Sequence, residues 1–382
     1  MPDQSSEKIR IAVNTRLLLP DYLEGMGHFT DECLKRIVKE HPEADFLFIF
    51  DRPFDPKFIY GPNVKGIVCG PAARHPLLWK LWYDLRVPVI LKKWKADIFL
   101  SPDGFCSLST SIPQCLVLHD LSYLHFPGFN KRSHRYFYQR YTARFIRKAS
   151  SLATVSEFSK TDIINHFPEA KGKIDVVYNG VKQQFSPRDL EKRETTKNHY
   201  TEGKDYFLFT GAIHPRKNLI NLLRAFSQFK KRQRSSMKLV LTGRLAWKYE
   251  GFLQDLKHYK YREDVVLTGY VKEEELVEIT AAAYALVYPS LHEGFGVPVL
   301  EAMCSGVPVI TSENSAMQEI AGEAALYADP AQPASIASQM MRIYKDESLR
   351  NSLIEKGKLV AIPFTWDRSA RLLWEAMMKA LA

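Results

Sequence analysis

The chain has 382 residues, 46% hydrophobic and 25% charged, which is too long for one ordinary domain and apolar enough for two cores. No run approaches the roughly 20 uncharged apolar residues of a membrane span, and the opening MPDQSSEKIRIAV lacks the charged leader and apolar core of a secretory signal. The formal charge is +10, and 13 Lys/Arg against 4 Asp/Glu between Arg74 and Lys148 concentrate it in one stretch. Such a basic face suits an anionic surface, either phospholipid headgroups or a polynucleotide. Five scattered cysteines without a C-x-x-C pair read as reduced thiols of a cytosolic protein, with no metal framework.

In chain order, Lys8 to Val13 is a short apolar strand. The loop from Asn14 to Gly27 follows, with Gly25 and Gly27 just before a helix expected over His28 to Glu40. Glycines after a first strand let backbone amides approach a phosphate. Phe46 to Phe50 and Gly66 to Cys69 are the next strands. His75 to Lys95 reads as an aromatic and basic helical stretch interrupted at Pro88. Trp79, Trp82 and Tyr83 recur at three- and four-residue spacing, which fits either a core-facing stripe or an interfacial segment. Asp97 to Leu100 and Gln114 to Leu118 are buried parallel-type strands, and the second runs into His119 and Asp120. Strand C-terminal ends are where ligands bind in open α/β sheets. Asn130 to Ala149 is a basic helix with Arg140, Arg144, Arg147 and Lys148 on or near one face. Ser151 to Ser156 and Lys173 to Tyr178 complete the strands of the first half, and Asn179-Gly180 marks a turn.

The segment 186–204 is polar and without hydrophobic periodicity, so it reads as a linker between domains at 1–185 and 205–362. Tyr206 to Thr210 restarts a sheet and leads into Gly211 and the basic turn His214-Pro215-Arg216-Lys217-Asn218, a reasonable diphosphate clamp. Lys238 to Arg244 and Val265 to Val271 are further strands with glycine-containing ends, and Lys272 to Ala282 is an acidic helix expected to be solvated. Ala283 to Ser290 is a buried strand running into HEGFGVPVLEAM, His292 to Met303. Gly294 and Gly296 permit close backbone approach there, and Pro298 suits the first turn of a helix whose amides at Val299 and Leu300 would face an anion. Glu293 and Glu301 flank that position, and carboxylates beside a phosphate site make sense as acceptors from sugar hydroxyls. Val307 to Glu313 is another strand, and Phe364-Thr365-Trp366 opens the last helix, over 363–382.

The string from His292 to Met303 resembles the Glu-x7-Glu element of the retaining nucleotide-sugar glycosyltransferases of family 4. The segment HDLSYLHFP and the Asn-Gly-Val at 179–181 are similar to that family as well. The resemblance implies an α/β GT-B fold, two facing Rossmann-like domains of mostly parallel sheet, with the terminal helix crossing back to the first domain. It implies a glycosyltransferase of hexosyl groups that needs no metal or other cofactor. Its donor would be a nucleotide-sugar, GDP-mannose first and UDP- or dTDP-hexose behind it. Its acceptor would be a glycan or lipid-linked chain in bacterial surface polysaccharide synthesis at the cytoplasmic membrane face. Under it, His119 faces the transferred sugar, with Asp120 beside it or on the acceptor side. Arg216 and Lys217 hold the diphosphate, Glu293 orients the sugar and Glu301 the ribose. Gly25, Gly27, Gly211, Arg244, Phe295 and the loop at Tyr270 and Val271 complete the donor pocket. Where many relatives carry an arginine directly after the glycine, this chain has Ala212, so Arg216 covers part of that work. A nucleotide-sugar 2-epimerase on the same fold is the rival reading. A nucleic-acid binder is the other, and no RNA or DNA module supports a nucleic-acid partner.

Overall fold

A computed structural model describes residues 8–20, 23–246 and 249–381; the opening residues weighed as a signal lie largely outside them. The chain divides into two compact units, one of residues 1–180 with 366–382 and the other of residues 181–365. The first unit is built on β1 (Arg10–Asn14), β2 (Asp45–Phe50), β3 (Val64–Val68), β4 (Ile98–Ser101), β5 (Gln114–Val117), β6 (Ser151–Thr154) and β7 (Ile174–Val176). Their order is β3-β2-β1-β4-β5-β6-β7, every pairing parallel. The second unit carries β8 (Tyr206–Thr210), β9 (Lys238–Thr242), β10 (Val265–Gly269), β11 (Ala285–Tyr288), β12 (Val309–Ser312) and β13 (Ala325–Ala328). Its order, β10-β9-β8-β11-β12-β13, is again wholly parallel. Parallel strands need helical crossovers on both faces, so β1, β4, β5, β6, β8 and β11 are apolar in their interiors, with polar residues only at their ends, and are buried along nearly their whole length. In each sheet the order reverses beside the first strand, between β1 and β4 and between β8 and β11. That reversal opens a crevice at the strands' C-terminal ends.

Several local expectations change. The segment read as linker holds a helix, Leu190–Thr201, started by Asp189 accepting from the Lys192 amide. Its surface is too polar to show periodicity, yet Thr196, Lys197 and Thr201 are buried. The acidic helix Glu273–Ala281 is not a solvated layer. Glu273 accepts from Lys182 at 2.6 Å, Glu278 accepts from Arg188 at 2.8 Å, and Val277, Ile279 and Thr280 are buried. The stretch after His75 is not broken at Pro88: a helix over Pro76–Leu81 runs through a π-turn at Trp82–Arg86 into a helix over Val87–Trp94. Pro88 sits in the first turn of that last piece, where its missing N–H costs little.

The aromatic stripe of that stretch belongs to the core. Trp79, Trp82 and Tyr83 are buried, and each polar tip has a partner: Trp79 Nε1 donates to Ala73 O and Trp82 Nε1 to Cys69 O, both at 2.6 Å, and Tyr83 OH donates to Asp103 at 2.7 Å. The helix Trp366–Lys379 belongs to the first unit, where it lies along the Gly25–Glu40 helix and β6. Its Trp366, Ala370, Leu373 and Met377 are buried there. The five cysteines are unpaired, and four are buried. No described helix is long and apolar enough to cross a membrane.

Candidate active site

In the second unit, the loops after β8 and β11 meet at the crevice where the strand order reverses. The β8 loop turns at Gly211 (φ +133°) and passes through a short helical turn, Pro215–Lys217, to Asn218 at φ +63°. Asn218 is held by its side-chain amide, which donates to Pro289 O at 3.0 Å and Pro330 O at 2.6 Å. This aims Arg216 and Lys217 at the β11 loop. There Glu293 lies buried, its Oε1 2.6 Å from Lys217 Nζ and its Oε2 3.0 Å from Arg216 Nη1. Arg216 also donates to His292 O at 2.5 Å, and Lys217 donates to the Tyr288 hydroxyl.

Burial opposes charge on both partners, and mutual attraction overrides it. Desolvation alone would lift the Glu293 carboxyl, but Arg216 and Lys217 bring it below its ordinary value. Desolvation would likewise lower Lys217, and Glu293 with Tyr288 raises it instead. The group is therefore an ionised carboxylate gripped by two cations.

Gly294 and Phe295 lead from Glu293 to Gly296, which caps the following helix at φ +102°. A Cβ at Gly296 would meet Met317 Cγ at 2.7 Å. The helix runs Val297–Cys304 with Pro298 in its first turn, as the sequence suggested, so Val299 is its third residue. This changes which amides are available. The Val299 N–H donates to Gly296 O at 2.9 Å, and the side chains of Val299 and Leu300 are fully buried in the core. Glu301 is half-buried one turn further on, away from the Lys217 cluster; Glu273 and Lys182 are its charged neighbours. Burial first, and then Glu273, pushes its carboxyl up to about 7. Arg244 and Tyr270 are exposed and Val271 is half-buried, on the loops after β9 and β10.

The sequence reading passed over two contributors. Tyr288, at the end of β11, meets Lys217 with both its hydroxyl and its ring, 4.8 Å from the Nζ. Gly243 ends β9 at φ +143°, and a Cβ there would fall 2.1 Å from Gly211 O. The Gly-Arg after β9 is the signal that carried it, since only glycine lets the β8 and β9 ends touch.

In the first unit, His119 follows β5. Its Nε2 lies 2.9 Å from Pro102 O, and its ring meets Phe29 edge-on at 5.1 Å. Desolvation lowers its pKa, so the imidazole is neutral at pH 7. Asp120 accepts from the Ser122 amide at 2.9 Å, just before the short helix Ser122–His125. That loop is pinned at both ends to the Glu157–His166 helix, by Ser159 Oγ donating to His119 O at 3.3 Å and by His125 Nε2 lying 2.8 Å from Asp162. Gly25 and Gly27 lie within the helix Gly25–Glu40, not in a loop before it. A Cβ at Gly27 would sit 2.8 Å from Leu17 O, so Gly27 lets the post-β1 loop lie on the first turn. A further charged pair was missed: Arg16 after β1 donates to Asp103 after β4, which is buried with Tyr83.

Residues 24–185 match Glycosyltransferase Family 4, and residues 191–360 match Glycosyl transferases group 1. O-antigen chain mannosyltransferase B of Escherichia coli is 26% identical over 360 residues, covering 90% of this chain and 93% of that protein. O-antigen chain mannosyltransferase RfbU of Salmonella typhimurium is 30% identical over 283 residues, covering 70% and 71%. The solved structure of Anabaena HepE in complex with UDP-glucose superimposes with a TM-score of 0.72 at 17% identity, covering 97% of this chain and 99% of that one. Two parallel-sheet Rossmann-like units, matches spanning both of them and relatives aligned along most of their length place the fold as GT-B, and the chain belongs to the family 4 glycosyltransferases.

Proposed function

We propose that the protein is a retaining hexosyltransferase that moves mannose from GDP-mannose, with UDP- or dTDP-hexoses as the next donors, to a hydroxyl of a glycan or lipid-linked acceptor in surface polysaccharide synthesis. The observation that carries it is the buried Glu293 between Arg216 and Lys217 at the β8/β11 crevice. Two cations on one carboxylate form a resting state that a diphosphate can displace. As the diphosphate claims Arg216 and Lys217, the Glu293 carboxylate is released to accept hydrogen bonds from the donor sugar. The same cations then stabilise negative charge on the leaving group, so no metal ion is required for that work. Glu301 accepts from the ribose, His119 contacts the transferred sugar as a neutral imidazole, and Asp120 lies on the acceptor side. Gly211, Arg244, Tyr270, Val271, Gly294, Phe295 and Gly296 border the donor. Gly27 lets the post-β1 loop lie on the helix that Gly25 opens, and Val299 and Leu300 fix the helix that follows Gly296. The curated O-antigen mannosyltransferases among its relatives support the sugar and the pathway class.

Acceptors of this kind sit at a membrane, and an exposed apolar line supports peripheral binding at the cytoplasmic face. Leu77, Leu81, Leu85 and Val89 are 75%, 37%, 61% and 66% exposed. The π-turn at Trp82–Arg86 takes more residues per turn than an α-helix and so keeps this four-residue spacing in line. Arg74, Arg86, Lys92 and Lys93 flank it, all exposed. Cations around an apolar stripe match an anionic lipid surface. Co-sedimentation with phosphatidylglycerol vesicles is expected, weakened by Leu85→Glu with Val89→Glu and absent with phosphatidylcholine; equal binding of wild type and variant removes this surface.

The test of the main reading is a panel of sugar nucleotides screened for a rise in melting temperature, followed by NMR of the anomeric product. GDP-mannose is expected to give the largest shift, and an acceptor is expected to yield a product with the donor's anomeric configuration. An epimerised sugar nucleotide formed from donor alone overturns the transferase reading.

A further inference from the structure

The first unit carries a cluster of ligand-bearing side chains that the Glu293 chemistry does not use. Among the described residues, His125, Asp162 and His166 each offer one nitrogen or oxygen, and no two of these atoms are more than 4.8 Å apart. Part of the cluster is written in the chain. Asp162 and His166 stand four residues apart in the helix Glu157–His166, so they share one face. His125 closes the short helix Ser122–His125 and meets that face from the segment that begins at His119.

His125 Nε2 lies 2.8 Å from one Asp162 oxygen, and His166 Nδ1 lies 3.2 Å from the other. A tetrahedral zinc ion with bonds of about 2.0–2.1 Å spaces its ligand atoms about 3.3 Å apart. Two imidazoles on one such ion place their ring centroids about 5 Å apart, and here the two rings are 5.3 Å apart. The bland account is a carboxylate that accepts from two imidazole N–H groups, helped by the contact of His166 Nδ1 with Asp162 O at 3.0 Å. Those hydrogen bonds explain why each histidine meets Asp162. They set no separation between the two rings, whereas a shared ion does.

The donor set selects the ion. Two imidazoles with one carboxylate suit zinc and its neighbours, while magnesium and calcium ask for oxygen ligands. The Asp162 side chain is 14% exposed, and His125 and His166 are 34% and 41% exposed. The carboxylate thus forms the floor and the imidazoles the rim, which leaves an ion a way in. Three protein ligands also leave a fourth position for water. The segment from His119 to His125 is tied to the same helix at its other end, where Ser159 Oγ donates to His119 O. An ion at His125 completes that attachment.

We propose that His125, Asp162 and His166 form a structural site for a divalent transition ion of the zinc class, which fastens the His119 segment to the helix Glu157–His166. The site is built wholly from the first unit and stands or falls without the donor assignment. Zinc chloride, with magnesium chloride as the contrast, is titrated into the tag-free full chain, with calorimetry and melting temperature as readouts. His41 Nδ1, 2.9 Å from Glu43, is a surface pair of similar chemistry and serves as the control for casual zinc binding. Wild type and His41→Gln are both expected to bind zinc saturably and to melt higher with it, and magnesium is expected to do neither. His166→Gln and Asp162→Asn should each weaken zinc binding at least tenfold and remove the rise in melting temperature. The metal-free melting curve of each variant reports that it is folded, and either variant suffices for the comparison. Absence of saturable binding at micromolar zinc, or zinc affinity unchanged in both His166→Gln and Asp162→Asn, overturns the site.

Discussion

Glu293 is useful because its two cations hold it ionised in a place where a lone carboxylate would take up a proton. Replacing it with glutamine keeps the shape and removes the charge that Arg216 and Lys217 answer. Glu293→Gln and Lys217→Ala should each cost about 2–4 kcal/mol of transition-state stabilisation, comparable to losing an oxyanion donor, and kcat with each purified variant checks this. Glu293→Ala leaves two half-buried cations facing each other and should also lower folding stability by about 3 kcal/mol, measured by urea denaturation. Glu301 behaves oppositely. Its carboxyl is raised from 4.5 to about 7, so the folded chain holds that proton more tightly than the unfolded one. Stability contributed by the bound proton is complete below about pH 4.5 and is lost as pH rises towards 7. The ceiling is about 3 kcal/mol. Glu301→Gln should flatten that segment of the stability profile. If Glu301 accepts from the ribose, donor affinity rises with pH through about 7 in wild type and not in Glu301→Gln.

The same device appears once in each sheet: a cation from the loop after the first strand pairs with a carboxylate from the loop after the fourth in chain order. In the second unit it is Lys217 with Glu293, and in the first Arg16 with Asp103. The glycines at strand ends make such closeness possible. Gly243→Ala puts a Cβ into Gly211 O from a left-handed φ, and it should destabilise by more than about 3 kcal/mol, visible as a lowered urea midpoint. Much of this arrangement was legible in the chain. The strands β8 and β11 announce themselves by apolar runs leading into glycine-bearing loops, and parallel strand ends are where ligands collect. Tyr288 was not legible, because a tyrosine closing an apolar strand looks like core until Lys217 is seen over its ring. The helix Leu190–Thr201 was hidden for the reverse reason: its inner side is marked by Thr196, Lys197 and Thr201, while its one leucine, Leu190, is exposed. Glu293 and Glu301 looked alike at seven-residue separation, yet one has two cations and the other a neighbouring acid, a difference that only folding creates.

At the scale of the whole chain, the first unit is discontinuous: it needs residues 1–180 and also the helix Trp366–Lys379. Trp366 is 5% exposed with its ring 6.4 Å from Phe29, so Trp366→Ala should cost about 3–5 kcal/mol, read in the unfolding transition of the first unit. The residues 181–365 that intervene form the second unit, and a ribosome adding about 5–20 residues per second needs roughly ten to forty seconds to make them. Throughout that interval the nascent first unit waits with the flank along Gly25–Glu40 and β6 uncovered, and by its end the second unit has its last strand, Ala325–Ala328, before the helix Trp366–Lys379 exists. Translation order and the order of completion are therefore inverted, and a holdase that shelters apolar nascent surface has its natural client in the earlier-made half.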